Sequence, residues 1–291
     1  MNDTLPCLEQ RPANLQNPPV LVILCGVNSG AYLFEPALQA FGSTHHLLIF
    51  NTPGVAGMPL PMPFTVEAYA KLVADMLDAR GIGTFNLLGH SLGGFAAQQL
   101  AHLMPERVER LVLVSTSRGQ PDTTRDLPLI KARSGLSFWE QAQAIAGDPH
   151  TRLKPYFGDA FPVQHPAAYA RFIEQRQKYL PKTAVSMAHF SAGAAFSSRR
   201  WVGGLAMPAL VVQGSDDVMI SARAARKLAA ALPHARYLEL YGVGHFPMLE
   251  HECFYPVVGR YLAGHPEGVE QEHRPPGVLR RLYQQWFTLH G

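Results

Sequence analysis

Apolar runs of strand length recur along this chain at 20–25, 47–50, 85–88, 108–114, 209–213 and 237–240, most of them bounded by Pro, Gly or Asn. Between them, apolar residues fall at helical spacing. Val66, Tyr69, Val73, Met76 and Leu77 predict a helix over 65–80 that Gly81 closes. The run Gly93, Gly94, Phe95, Ala96, Ala97 predicts a tightly packed helix after 85–88, and 222–232 and 250–262 predict two more. Runs that are apolar throughout suit strands buried on both faces. Strands alternating with helices predict a mostly parallel sheet covered on both sides. Ligands of such sheets lie beyond the carboxyl ends of the strands.

The alternation stops between 117 and 204. Proline, helical pieces and aromatic residues take over there, among them Phe138, Trp139, Tyr156, Phe157, Phe161, Phe172, Phe190, Phe196 and Trp201. This segment reads as a cap inserted into the core. Singly, its rings suit the cap's own core; together they suit a water-poor pocket for an acyl chain or other apolar group. The resulting organisation is an N-terminal segment 1–18, a core made of 19–116 and 205–263, a cap 117–204, and a linker and tail 264–291. In the tail, Leu279, Leu282, Tyr283, Trp286 and Phe287 share one face of a predicted amphipathic helix over 278–290. That face needs a surface: the chain's own body, a second copy in a homodimer, or an apolar particle.

Composition narrows the partners. A chain of 291 residues that is 47% hydrophobic can bury a substantial core, and a net charge of +3 without any Lys/Arg run gives no electrostatic footprint for nucleic acid. The N-terminus has no basic start followed by an apolar run, and 20–24 is too short to cross a bilayer, so neither a secretory signal nor an integral membrane span is expected. Three cysteines (Cys7, Cys25, Cys253) without metal-type spacing suit free thiols in a reducing compartment, with the cytoplasm as the expected location. The thirteen histidines form no HExxH pattern, and His45 and His46 are expected at the surface.

The candidate chemistry starts at Gly89-His90-Ser91-Leu92-Gly93, between a predicted strand and a predicted helix. A serine forced into a sharp strand-to-helix turn adopts a strained backbone and lifts its hydroxyl clear of the sheet. The turn also places the Leu92 N–H at a helix N-terminus, where partial positive charge can stabilise an oxyanion. Further on, Asp216 and Asp217 follow the strand 209–213, and His245 follows the last strand on a loop that Gly242 and Gly244 are expected to make mobile. A carboxylate at a strand's carboxyl end can reach a histidine standing over the nucleophile. Nothing near Cys25 lowers its pKa, which argues against a nucleophilic thiol.

These motifs, in this order and spread from about 19 to 262, resemble the α/β-hydrolase superfamily of serine hydrolases. The resemblance implies an α/β-hydrolase fold, with a mostly parallel sheet covered by helices on both faces and a helical cap inserted after the sixth-strand position. It implies Ser91 as nucleophile, His245 as base and, from the family's usual spacing after Gly214, Asp217 rather than Asp216 as the acid. The amides of Val27 and Leu92 become the oxyanion hole, and no metal or organic cofactor is required. Two departures stand out. Cys25-Gly26 replaces the family's His-Gly pair and removes a histidine that commonly props the oxyanion loop, and so few residues precede Pro19 that the first hairpin is expected to be curtailed.

Three stretches are similar to one branch, the intracellular medium-chain polyhydroxyalkanoate depolymerases: Asn51-Thr52-Pro53-Gly54-Val55-Ala56-Gly57, Tyr156-Phe157-Gly158-Asp159-Ala160-Phe161, and Phe190 to Ser198 running into Trp201. Asn51 stands where that branch has aspartate, Leu92 where it has tryptophan and Cys25 where it has asparagine. The similarity implies a carboxylic ester hydrolase for acyl or 3-hydroxyacyl esters. An acyltransferase or thioesterase acting on acyl carrier protein or coenzyme A thioesters stays open, as does a non-catalytic small-molecule receptor on the same fold.

Overall fold

The computed structural model describes residues 5–123, 125, 128, 131, 135, 140, 153, 156–265 and 267. Its strands are β1 (Cys7–Gln10), β2 (Val20–Leu24), β3 (His46–Phe50), β4 (Phe85–His90), β5 (Val108–Val114), β6 (Ala209–Gly214) and β7 (Ala235–Leu240). They form one sheet in the order β1-β3-β2-β4-β5-β6-β7. Every pairing is parallel except β1 with β3. The helices are α1 (Glu35–Phe41), α2 (Val66–Asp78), α3 (Leu92–Leu103), α4 (Pro166–Lys178), α5 (Thr183–Ala195), α6 (Ala222–Ala231) and α7 (Phe254–Leu262), with short helical turns at Phe161–Gln164 and Pro247–Glu250.

The strands read as continuous apolar runs because both faces are covered. Successive side chains point to opposite faces. Leu21 and Ile23 therefore pack with Phe41, Val257 and Tyr261 on the α1 and α7 side, while Val22 and Leu24 pack with Val73, Phe95 and Leu100 on the α2 and α3 side. Burying one such aliphatic side chain contributes about 1.5–3 kcal/mol. Helix α2 starts where Thr65 Oγ1 accepts from the Ala68 N–H at 3.0 Å, and it buries Val66, Tyr69, Val73 and Leu77 on one face.

Two expectations, for His46 and for the closing helix, need correction. The curtailed hairpin retains one strand: β1 runs antiparallel to β3, and its Glu9 carboxylate meets His46 Nε2 at 2.7 Å, so His46 lies buried in the sheet rather than at the surface. With one strand of that hairpin present, the fifth of the seven strands stands at the sixth-strand position, and the cap follows it as expected. The closing helix predicted over 250–262 is broken, because His251 is extended (φ −127°, ψ 120°) between the Pro247–Glu250 turn and α7. The break leaves the Glu250 side chain free to turn back on the loop that precedes it.

Cap helices α4 and α5 lie between β5 and β6. Their rings form joints with the core. Phe157 stacks on Phe161 at 5.1 Å and meets Phe172 at 5.1 Å and Phe246 at 4.9 Å, which ties the cap to the loop after β7. Phe196 stacks on Phe95 of α3 at 4.6 Å, and Trp201 stacks on His102 at 4.5 Å. These rings are packing residues. Phe138, Trp139 and the tail helix expected over 278–290 lie outside the described residues.

Helix α3 sits so close to β2 that a Cβ on Gly93 would come 2.2 Å from the Leu24 carbonyl oxygen and 2.6 Å from that of Cys25. Both obstacles are backbone and cannot swing aside. Gly93→Ala is therefore expected to destabilise the fold by about 3 kcal/mol, read as a lower denaturant midpoint at unchanged m-value; a midpoint within error of the wild type would contradict this packing.

Candidate active site

Ser91 joins β4 directly to α3 with φ 55° and ψ −119°. This left-handed backbone costs a non-glycine residue of order 1–3 kcal/mol and persists only where its surroundings over-determine it. Here the surroundings are glycines and neighbouring strands. A Cβ on Gly89 would lie 2.4 Å from the Gly93 carbonyl, one on Gly26 would lie 3.0 Å from Ser91 Cβ, and the Ser91 N–H is held by the Val114 carbonyl at 2.9 Å. The turn thus brings the start of the loop after β2 against the Ser91 side chain.

The Val27 and Leu92 amides lie on the two segments that meet at this turn. Among the described residues, neither N–H is taken up by a protein acceptor. The Gly26 carbonyl accepts from the Ser29 N–H at 3.1 Å and from the Thr52 hydroxyl. Because the peptide is planar, fixing that carbonyl also fixes the direction of the Val27 N–H.

The structure brings Asp217 and His245 together. His245 Nδ1 lies 2.8 Å from Asp217 Oδ2, and both side chains are buried. The second oxygen, Oδ1, accepts from the Met219 and Ile220 N–H groups at 2.7 and 3.0 Å. Burial pushes the Asp217 carboxyl up, but the His245 charge and hydrogen bond and the two amides outweigh it and hold the group below its ordinary value. Asp216 is exposed, and its Oδ1 accepts from Ser215 Oγ at 2.8 Å.

Three supporting side chains and one backbone carbonyl were not identified from the sequence. Gln213 Nε2 donates to Asp217 Oδ2 at 2.9 Å. His90 Nε2 donates to the His245 carbonyl at 2.8 Å, and burial, with the neighbouring His245 adding, lowers its pKa to about 3, so the ring is a neutral strut. The Tyr156 carbonyl accepts from the His245 N–H at 2.7 Å. Glu250 accepts from Gly158 and Gly244 at 2.7 and 2.9 Å through Oε2 and from Phe246 at 3.0 Å through Oε1. The loop is therefore clamped on both sides of His245. Its glycine at 244 serves close approach rather than mobility, since a Cβ there would lie 2.3 Å from the Tyr156 carbonyl oxygen.

The departures from the family pattern have local causes. Asn51 Oδ1 accepts from Ala31 at 2.7 Å while Nδ2 donates to the Leu5 and Ala56 carbonyls at 2.8 and 3.1 Å, a donor role that aspartate could not fill. Cys25 is fully buried, and burial raises its thiol pKa further, which leaves no thiolate for nucleophilic chemistry. Among the described residues, no group of three His, Cys, Asp or Glu could hold a metal ion, and no helix is long and apolar enough to cross a membrane.

A family model described as the alpha/beta hydrolase fold matches residues 18–252, and the chain belongs to that family. Within it, the chain is 28% identical over 263 residues to the poly(3-hydroxyalkanoate) depolymerase of Ectopseudomonas oleovorans, a match covering 88% of each chain. It is 29% identical over 247 residues to polyketide synthase ThaQ of Burkholderia thailandensis, covering 84% of this chain and 12% of that longer one. The crystal structure of the enol-lactonase from Burkholderia xenovorans LB400 shares the fold with a TM-score of 0.73 at 22% identity, covering 88% of this chain and 95% of that one.

Burial pushes the Glu250 pKa from its ordinary 4.5 up to about 7, against the downward pull of the three amides it accepts from. The folded state therefore holds this proton more tightly than the unfolded chain does. Glu250 favours folding fully below about pH 4.5, and that contribution is lost as pH rises towards 7. Buried neutral His90 has the opposite slope, so the comparison that isolates Glu250 is wild type against Glu250→Gln. The wild type is expected to lose stability relative to the variant between pH 5 and pH 7, in urea titrations at matched ionic strength. Parallel curves would contradict the shift.

Proposed function

We propose that this protein is a serine-dependent carboxylic ester hydrolase in which Ser91, His245 and Asp217 form the catalytic triad. The observation that carries this reading is the 2.8 Å contact of His245 with a carboxylate already committed to two backbone amides, on loops at the same sheet edge as the left-handed Ser91. Asp217 fixes the imidazole with Nδ1 protonated, so that Nε2 offers the lone pair a general base needs.

In this mechanism His245 Nε2 takes the Ser91 proton as Oγ forms a bond to the ester carbonyl carbon. The carbonyl π electrons move onto oxygen, where the Val27 and Leu92 N–H groups and the α3 N-terminus stabilise the negative charge. Collapse of this intermediate breaks the bond to the leaving alcohol, which departs with the proton from His245. Water then attacks the acyl-enzyme by the same route, releasing the acid and restoring Ser91. No step needs a cofactor.

Likeness to the poly(3-hydroxyalkanoate) depolymerase over nearly the whole chain supports acyl or 3-hydroxyacyl esters as substrates, with the polymer itself the sharpest form of the proposal. Likeness to part of a polyketide synthase supports a second reading, thioester cleavage or acyl transfer in which a thiol or alcohol takes the place of water. The test is a panel of p-nitrophenyl esters and acyl-coenzyme A thioesters, acetyl to dodecanoyl, on the wild type and Ser91→Ala. The proposal expects ester turnover, greatest at medium chain length, that falls about 10⁴-fold or more in the variant. Preference for thioesters would move the assignment to the second reading; turnover of neither, or an unimpaired Ser91→Ala, would overturn the triad.

A further inference from the structure

The turn after β2 that carries the Val27 amide contains a second strained residue. Asn28 is fully buried with φ 51°, in the left-handed region. The family's histidine before Gly26 is absent, and three cap side chains occupy this turn instead. Arg176 of α4 donates through Nη1 to the Val27 and Asn28 carbonyls at 3.1 and 2.5 Å and to Ser29 Oγ at 3.2 Å. His189 of α5 accepts the Asn28 N–H on Nδ1 at 3.2 Å, and its Nε2 donates to the Pro53 carbonyl at 2.7 Å. Asn28 Nδ2 donates to Ser186 Oγ at 2.8 Å, and its Oδ1 lies 2.9 Å from His189 Nδ1, a contact of two acceptors when the ring's proton is on Nε2.

The peptide that follows the Val27 amide is thus held at both ends by the cap, its carbonyl by Arg176 and its N–H by His189. The positions follow from helix geometry: Ser186 and His189 are three apart and share one face of α5, and Arg176 lies on the face of α4 that buries Phe172 and Ile173. Arg176 is itself buried, and among the described residues no carboxylate pairs with it. A buried cation with backbone carbonyls as its partners is costly unless those carbonyls stay in place. His189 is kept neutral by burial, which lowers its pKa to about 4 and preserves the acceptor that Asn28 needs.

We infer that Arg176 and His189 are positioning residues for the oxyanion hole: the cap holds the Asn28 turn in its left-handed form and, by fixing the peptide that follows Val27, works with the Thr52 and Ser29 bonds on the Gly26 carbonyl to keep the Val27 N–H in place. This rests on the ester-hydrolase reading of Ser91. It also implies that the site is complete only when α4 and α5 are seated on the core.

The test uses the full-length protein and its Arg176→Met, Arg176→Lys and His189→Gln variants, with Arg171→Met on the exposed face of α4 as control. For a p-nitrophenyl ester, Arg176→Met is expected to lower kcat roughly tenfold to hundredfold with KM little changed, because an amide out of place affects the transition state more than the ground state. Arg176→Lys should recover part of the loss, and His189→Gln, which keeps the buried cation, should show the same split. A second readout is the rate ratio of an ester to its thiono analogue, whose C=S gains little from an N–H donor. That ratio should fall in Arg176→Met and His189→Gln and hold in Arg171→Met.

Thermal melting separates these effects from loss of fold. A folded Arg176→Met and His189→Gln with wild-type kcat and wild-type ester/thiono ratio would overturn the inference while leaving the hydrolase reading intact. A wild type that hydrolyses no ester would remove both.

Discussion

The constraint on which the site depends is the left-handed backbone of Ser91. A serine does not hold φ 55° by itself; it is held because β4, α3 and the end of β2 approach too closely for any other path. Gly26, Gly89 and Gly93 are the places where that approach leaves no room for a Cβ. The same compression puts Ser91 at the helix N-terminus and sets the Val27 loop beside it. The strain is stored in the packing of the core and expressed at one side chain.

A second layer of fixation surrounds His245. Its backbone is held by His90 from the Ser91 turn, by Tyr156 from the cap, and by Glu250 through the amides on either side of it. Glu250 also grips Gly158, so one half-buried carboxylate links the histidine loop to the cap segment. The Arg176 and His189 contacts make the matching link on the other side, from cap to oxyanion loop. The cap is therefore joined to both halves of the proposed machinery through polar contacts buried in a low-dielectric interior, where an unmade hydrogen bond is expensive.

The sheet was legible from the sequence because strands covered on both faces read as unbroken apolar runs; β5 matches its predicted span residue for residue. Ser91, Asp217 and His245 could be nominated because each follows such a run, with the family resemblance choosing Asp217 over Asp216. Other features were not legible. Strand β1 is short and polar, stabilised by pairing with β3 and by Glu9 on His46, neither of which leaves a pattern in its own residues. The break at His251 has no proline or glycine to announce it. The roles of Arg176 and His189 depend on residues about 150 positions away, and an isolated buried arginine looks in sequence like any exposed one. One signal did exist: the missing histidine before Gly26 left a loop in need of a partner.

The central claim, that the strained Ser91 turn and the Asp217–His245 pair make an activated nucleophile, is tested most directly by treating the wild-type protein with a p-nitrophenyl alkylphosphonate and mapping the adduct by mass spectrometry. This account predicts one equivalent of p-nitrophenol released per chain and a single phosphonyl group on the Ser91 peptide, formed much more slowly when Asp217 is replaced by Asn. An adduct on Cys25 or on a surface residue, or no stoichiometric release, would contradict it.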